Sequence, residues 1–89
     1  MAKPGRRGSV FVDSGAWIAL FSARDQHHAE ADDLFRRAVR ERTPLLTTNL
    51  VLAEVQRLLL FRAGIRAAAA ALDRIEASAL VRLVHATAS

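Results

Sequence analysis

The chain of 89 residues is long enough for one small domain and too short for two, because a chain of this length buries only about 60% of the surface that it exposes when unfolded. Its 52% hydrophobic and 25% charged residues exclude intrinsic disorder and predict a packed core. The net charge of +4 does not by itself indicate a nucleic-acid substrate, since three of the thirteen basic residues lie within residues 1–8 and the rest of the chain is almost neutral.

The first predicted elements are a flexible basic leader and a buried strand. Residues 1–8 contain two glycines, one proline and three basic residues, a composition that is typical of unstructured segments. Residues 10–12 are a β-branched and aromatic run that ends at Asp13, as expected of a strand inside a parallel sheet. Ser14 can cap a short helix that extends to Phe21.

A second helix and a second strand follow. Asp25 is a candidate cap, and apolar residues recur at helical spacing from Ala31 to Ala38, so we expect a helix to about residue 42. Thr43 and Pro44 end this helix. Residues 45–48 form the second predicted strand.

The same order of elements recurs in the remaining residues. Asn49 can cap a third helix over residues 50 to about 62, and Gly64 closes it. An alanine-rich fourth helix is expected from Ile65 to about residue 77, and residues 80–84 form a third strand. Strands separated by pairs of helices predict an α/β fold in which helical crossovers join parallel strands.

Two carboxylates are candidates for a ligand-binding site in such a fold. Asp13 directly follows the first strand, and ligands bind beyond the carboxyl ends of parallel strands. Glu54 lies one turn into the third helix beside its apolar stripe, where an unpaired carboxylate is costly. A shared Mg²⁺ would satisfy both, because this ion needs only one or two protein carboxylates. The competing interpretation is structural, with Asp13 as a turn or cap residue and Glu54 half-exposed beside an arginine.

Three segments carry a resemblance to a known family: VFVDSGAWIALF (residues 10–21), DQHHAEA (residues 25–31) and TTNLVLAEV (residues 47–55). In type, order and spacing they resemble the amino-terminal half of PIN-domain ribonucleases of the VapC toxin type. The resemblance extends from residue 9 to about residue 85. It implies a PIN-like three-layer α/β sandwich with a parallel sheet, of which residues 9–89 supply only the first three strands and four helices.

The resemblance also implies a function and the residues that perform it. The expected activity is that of a metal-dependent endoribonuclease, a hydrolase of RNA phosphodiester bonds that uses Mg²⁺ or Mn²⁺ and forms the toxin component of a toxin–antitoxin pair. Asp13 and Glu54 match the first two acidic residues of the family's metal site. Ser14 matches a small hydroxyl residue that assists catalysis, and Asn49 matches a position that we assign to substrate binding. The implied partners are RNA, a cognate antitoxin and a second copy of the chain.

The sequence departs from the family pattern in one respect. Family members bring a third aspartate, and usually a fourth acidic or amide residue, from a segment that follows the third strand, whereas this sequence ends at Ser89. The alternative is therefore a truncated, inactive remnant that binds an antitoxin or completes its fold with another chain. By resemblance the sheet order is 3-2-1-4-5, so we expect the strand before Asp13 to be an exposed edge.

Other site chemistries fit less well. Phosphatases that begin with an aspartate after a buried strand need a second aspartate two residues later, where this chain has Gly15. His27 and His28 are adjacent on a helix and point about 100° apart, so we expect no joint metal chelation by them. His85 is interpreted as structural because it stands alone after the last strand.

Cysteine content and hydropathy indicate the compartment. The chain has no cysteine, which excludes disulfides and thiolate metal sites and favours a reducing cytoplasm. No apolar run approaches the roughly 20 residues of a membrane span, and the basic start lacks the apolar segment of a secretory signal. We therefore expect a cytoplasmic protein without a membrane partner.

Overall fold

The computed structural model describes residues 2–4 and 8–87. The strands in these residues are β1 (Ala2–Pro4), β2 (Val10–Val12), β3 (Leu45–Thr48) and β4 (Val81–Val84). The helices are α1 (Ser14–Phe21), α2 (His28–Glu41), α3 (Asn49–Ala63) and α4 (Ile65–Ala77).

The described strands form one sheet in the order β1-β2-β3-β4. The pairs β2–β3 and β3–β4 are parallel, with Val10 and Val81 both opposite Leu45. Helices α1 and α2 connect β2 to β3, and helices α3 and α4 connect β3 to β4. This arrangement confirms the predicted α/β class with a parallel three-stranded core and four helices.

Strand β1 was not predicted. It pairs antiparallel with β2, with Ala2 opposite Val12 and Pro4 opposite Val10, so the edge of β2 that we expected to be exposed is paired. An edge strand offers a row of unpaired backbone N–H and C=O groups that any nearby extended segment can complete, whatever its strand propensity. The other residues of the expected leader lie outside the described residues, apart from Gly8. The division into a leader at residues 1–8 and a partial domain at residues 9–89 stays a prediction.

The first two helices begin differently from the prediction. The cap of α1 is Asp13, whose Oδ1 accepts a hydrogen bond of 2.9 Å from the Ala16 amide, and Ser14 is the first helical residue. Helix α2 begins at His28 and not directly after Asp25. The Asp25 carboxylate instead accepts a hydrogen bond from the amide two residues later and so stabilises a turn ahead of the helix.

Helix α3 also has its cap one residue earlier than predicted. Thr48 Oγ1 accepts a hydrogen bond of 3.0 Å from the Val51 amide, so Asn49 lies inside the helix. Gly64 ends α3 as predicted: its amide hydrogen-bonds the carbonyls of the last turn, and its φ of 92° is a conformation that other residues rarely adopt.

The core lies between the sheet and the helices, and Trp17 is its largest buried side chain. Trp17 Nε1 donates to Thr47 Oγ1 at 3.1 Å, and this hydroxyl donates to the Val12 carbonyl at 3.2 Å. These two bonds tie α1 to β3 and β2, which fixes the start of α1 relative to the end of β2. Buried apolar side chains from every helix surround them: Val12, Ala16, Trp17, Ile18, Ala38, Leu45, Val55, Leu59, Ala68, Ala71 and Ile75. Among the described residues, none of the helices has the length and apolar character needed to cross a membrane.

Candidate active site

The carboxyl end of β2 presents Asp13 and Ser14 side by side. Asp13 is half-buried, and its carboxylate is oriented by the bond from the Ala16 amide to Oδ1. The second oxygen, Oδ2, accepts no hydrogen bond from the residues that the structure describes. Asp13 therefore combines a fixed orientation with one open oxygen.

Glu54 reaches this end of β2 from α3. Its Oε1 accepts a hydrogen bond from Ser14 Oγ, which joins residues 40 positions apart in the sequence. Val55 on the same helix is buried, whereas Glu54 itself is exposed. The sequence argument that burial would force Glu54 to pair with a cation is therefore wrong, and only its position beside Ser14 supports a role in the site.

Asn49 has a different environment from the other three predicted site residues. Its Nδ2 donates to the Ala86 carbonyl at 2.9 Å, and its Oδ1 accepts from the Ala86 amide at 2.5 Å. Both ends of the side-chain amide thus hold the segment that follows β4. The structure brings Asp13, Ser14 and Glu54 together, and it shows Asn49 engaged with Ala86 instead.

A cavity of about 400 Å³ opens beside Asp13 and contains polar residues that sequence reasoning assigned elsewhere. Asp25 and His27 line it together with Glu30, and His27 Nδ1 lies 3.5 Å from Glu30 Oε2. All three belong to the DQHHAEA segment. The sequence pattern singled out this segment, but it predicted Asp25 as a helix cap and did not assign His27 to the site. The remaining lining residues are Asp13, Ser14, Gly15, Ile18, Leu58 and Arg62.

The donor atoms of the site suit a hard divalent cation. Asp13 and Glu54 contribute carboxylate oxygens and Ser14 a hydroxyl, and Mg²⁺ prefers oxygen ligands while keeping several waters. Within residues 2–4 and 8–87 there is no cluster of three or more His, Asp or Glu side chains arranged to hold a metal. The two carboxylates nevertheless meet the small number of protein ligands that Mg²⁺ requires.

Comparison with known proteins identifies the family of the chain. The model of the PIN domain matches residues 10–89, which is nearly the whole sequence. The chain belongs to the PIN-domain family. PIN-domain nucleases generally use a divalent metal ion, and VapC toxins pair with antitoxins. The predicted family and fold class are confirmed, and the predicted elements occur in the expected order with β1 added before them.

Similar PIN-domain proteins are known from Mycobacterium tuberculosis. The protein named 23S rRNA-specific endonuclease VapC20, from strains CDC 1551 / Oshkosh and ATCC 25618 / H37Rv, is 41% identical to this chain over 80 residues. The match covers 89% of this chain and 57% of the relative. The crystal structure of VapC20, described as a sarcin-ricin loop cleaving toxin, superposes with a TM-score of 0.69 at 40% identity, covering 88% of this chain and 57% of that one. The chain therefore spans little more than half the length of the relatives that it matches.

Proposed function

We propose that this PIN-domain protein is a metal-dependent endoribonuclease and the toxin of a toxin–antitoxin pair. Its active site, formed by Asp13, Ser14 and Glu54, cleaves RNA phosphodiester bonds. The observation that supports the proposal most directly is the Ser14–Glu54 hydrogen bond, because it brings the acidic helix to the end of the strand that carries Asp13. The 41% identity to a 23S rRNA-specific endonuclease supports the choice of RNA as the substrate.

Each residue has a distinct part in this proposal. Asp13 and Glu54 hold Mg²⁺ or Mn²⁺, and a bound divalent ion lowers the pKa of water and offsets charge on the phosphodiester. The Ala16 amide fixes the Asp13 carboxylate so that Oδ2 remains open. Ser14 donates to one oxygen of Glu54 and so orients this carboxylate toward the end of β2. Asn49, whose amide already holds Ala86, stays a prediction for substrate binding.

Cleavage of RNA by an Asp13→Asn variant tests the proposal. Asparagine caps helices as well as aspartate does, so the substitution keeps the acceptor for the Ala16 amide and removes only the charge. We expect cleavage of a 23S rRNA fragment to stop in EDTA, to return with added Mg²⁺, and to fall more than about 100-fold in the variant, beyond the losses typical of changes around a metal site. Asp73→Asn, which removes an exposed acid of α4 that does not line the cavity beside Asp13, is the control.

Two results would contradict the proposal. Cleavage that persists in EDTA or in the Asp13→Asn variant would remove the metal site from the reaction. Absence of cleavage by the purified wild-type protein, with retained binding to an antitoxin, would favour the alternative of a binding protein without catalytic activity.

The Ser14 hydroxyl is testable separately. Ser14→Ala removes the hydrogen bond to Glu54 and frees its carboxylate to rotate, so we expect cleavage to fall by about 10- to 100-fold, as when a group that orients a metal ligand is lost. Ser14→Thr keeps a hydroxyl and should retain most of the activity. Equal activity in wild type and Ser14→Ala, measured by RNA cleavage at saturating Mg²⁺, would exclude this role.

The partners and the compartment belong to the same proposal. A PIN-domain toxin is expected to bind a cognate antitoxin and to form a homodimer, and the absence of cysteine suits a reducing cytoplasm. Light scattering of the purified protein, alone and with the antitoxin, measures both associations. A monomeric mass at all concentrations would contradict the homodimer.

A further inference from the structure

A second cavity, of about 420 Å³, adjoins the acidic one, and the described residues that line it include three arginines and no carboxylate. It lies between the end of α1 and the hairpin formed by α3 and α4. The cationic lining residues are Arg24, Arg62 and Arg74, and Ser22 is the only other polar side chain among the lining residues that the structure describes. The rest of its lining is apolar: Ile18, Phe21, Leu59, Ala63, Ala67, Ala70 and Ala71.

These three arginines are exposed and have no carboxylate partner within residues 8–87. The Arg74 guanidinium lies 5.3 Å from the centroid of the Phe21 ring, which holds it at the cavity by a cation–π contact. Arg36 and Arg37 on α2 differ, because each hydrogen-bonds an aspartate one turn earlier, which raises the pKa of both guanidinium groups. The arginines at the cavity therefore have free donors, whereas those on α2 are already paired.

The two cavities share two lining residues, Arg62 and Ile18. A polyanion that extends from Arg24 or Arg74 past Arg62 would therefore reach the cavity beside Asp13. A charged chain with a repeating phosphate suits this path, because guanidinium groups bind phosphate oxygens through paired hydrogen bonds. An acidic peptide would also be attracted to the arginines, but the path ends beside Asp13 and Ser14, where the proposed function requires a phosphodiester.

We propose that Arg24, Arg62 and Arg74 bind successive phosphates of a single-stranded segment of the RNA substrate and direct it to Asp13. This inference rests on the proposed endoribonuclease function. Apart from the arginines and Ser22, the described residues give the cavity no hydrogen-bonding side chain with which to recognise base edges. The arginines therefore position the strand and contribute affinity, and the base sequence is read elsewhere.

The salt dependence of RNA binding measures these phosphate contacts. Each neutralised phosphate of a single strand contributes about 0.7 to the slope of log K against log salt concentration. The combined variant Arg24→Gln, Arg62→Gln and Arg74→Gln should therefore lower the magnitude of the slope by about 2, and each single variant by about 0.7. Fluorescence anisotropy of a labelled single-stranded RNA, recorded in EDTA over a series of KCl concentrations, gives the slope without cleavage.

A charge-matched control separates contact from general attraction. The combined variant Arg57→Gln, Arg66→Gln and Arg82→Gln removes the same charge from exposed arginines that line neither cavity, and its slope should stay close to that of the wild type. Far-ultraviolet circular dichroism and a melting curve confirm that all variants are folded.

The outcomes distinguish this inference from the proposed function. Equal salt-dependence slopes for the two combined variants would overturn the proposed RNA path. Polyglutamate serves as a probe for an acidic protein partner. If the combined variant of Arg24, Arg62 and Arg74 lost polyglutamate binding while its RNA slope was unchanged, the arginines would bind such a partner and the proposal would be overturned. The measurement in EDTA does not depend on catalysis. An Asp13→Asn variant that cleaves normally would thus refute the proposed nuclease site while leaving the slope result intact.

Discussion

At the scale of single residues, Asp13 serves the helix and the site through different atoms. Oδ1 accepts a hydrogen bond from the Ala16 amide and so caps α1, while Oδ2 accepts no hydrogen bond from the described residues. A substitution that keeps an acceptor is therefore expected to affect function alone, whereas one that removes the side chain affects function and stability together.

Comparison of Asp13→Ala with Asp13→Asn tests this separation. Loss of the cap should lower the free energy of unfolding by about 1 kcal/mol in the alanine variant, and the asparagine variant should be within a few tenths of a kcal/mol of the wild type. Both should lose RNA cleavage. Urea unfolding provides the free energies, and equal stability of the two variants would show that the carboxylate does not cap α1.

Neighbouring residues of similar chemistry limited what the sequence could predict at this scale. Asp13 and Ser14, and likewise Thr48 and Asn49, are adjacent pairs in which either side chain can cap a helix, and the sequence favoured the wrong member each time. Backbone conformation decides between them, because the cap residue must be extended, as Asp13 is with a ψ of 176°. The bond between Asn49 and Ala86 joins residues 37 positions apart and had no local signal.

At the scale of elements, the chain of hydrogen bonds from Trp17 through Thr47 to Val12 connects one helix to two strands. Helix α1 is only 8 residues long, and an isolated helix of this length is unstable in water. Its position therefore depends on Trp17 packing in the core and on the hydroxyl that accepts the indole N–H. The same contacts hold Ser14 within reach of Glu54.

A Thr47→Val variant tests the importance of this hydroxyl. Valine has nearly the same shape, but it leaves the buried Trp17 Nε1 without an acceptor, which should lower the free energy of unfolding by about 1–3 kcal/mol. Thr47→Ser retains the hydroxyl and should cost less. Thermal unfolding measures both, and a valine variant as stable as the wild type would mean that the indole N–H finds another partner.

The sequence predicted which residues form helices and strands more reliably than it predicted how these elements contact one another. The strands at residues 10–12 and 45–48 and the helix from Ile65 to residue 77 were predicted with their observed bounds, because apolar periodicity and glycine or proline residues mark them. Strand β1 was missed because its sequence, Ala-Lys-Pro, has little strand propensity and pairs only where β2 offers an open edge.

At the scale of the whole molecule, the candidate site is assembled from segments that are distant in sequence. Asp13 follows β2, Glu54 belongs to α3, and Asp25 and His27 come from the connection between α1 and α2. The strand topology predicted that Asp13 lies where a parallel sheet binds ligands, and the family resemblance assigned Glu54 to the same site. The cavity beside them depends on how α2 is placed against α1, which no sequence pattern specified.

Because the site depends on the folded chain, metal binding and global stability are linked. An ion that binds only the native protein raises the free energy of unfolding by about 1.4 kcal/mol at ten times its dissociation constant. For a chain of this size we expect Mn²⁺ to raise the midpoint of thermal unfolding by roughly 6–11 °C. The Asp13→Asn variant should show no such shift. A wild-type midpoint that Mn²⁺ does not change, measured by differential scanning calorimetry, would contradict metal binding at Asp13 and Glu54.

Trp17 also provides an intrinsic fluorescence probe of folding. The sequence contains a single tryptophan and no tyrosine, and that tryptophan is 2% exposed, with its ring against Phe35 and only four residues from Asp13. Its emission should therefore shift to longer wavelength when the core opens and water reaches the indole, with no tyrosine signal to subtract. Unfolding, refolding and the influence of added ions or RNA on both can be followed at nanomolar to micromolar concentrations without attaching a dye.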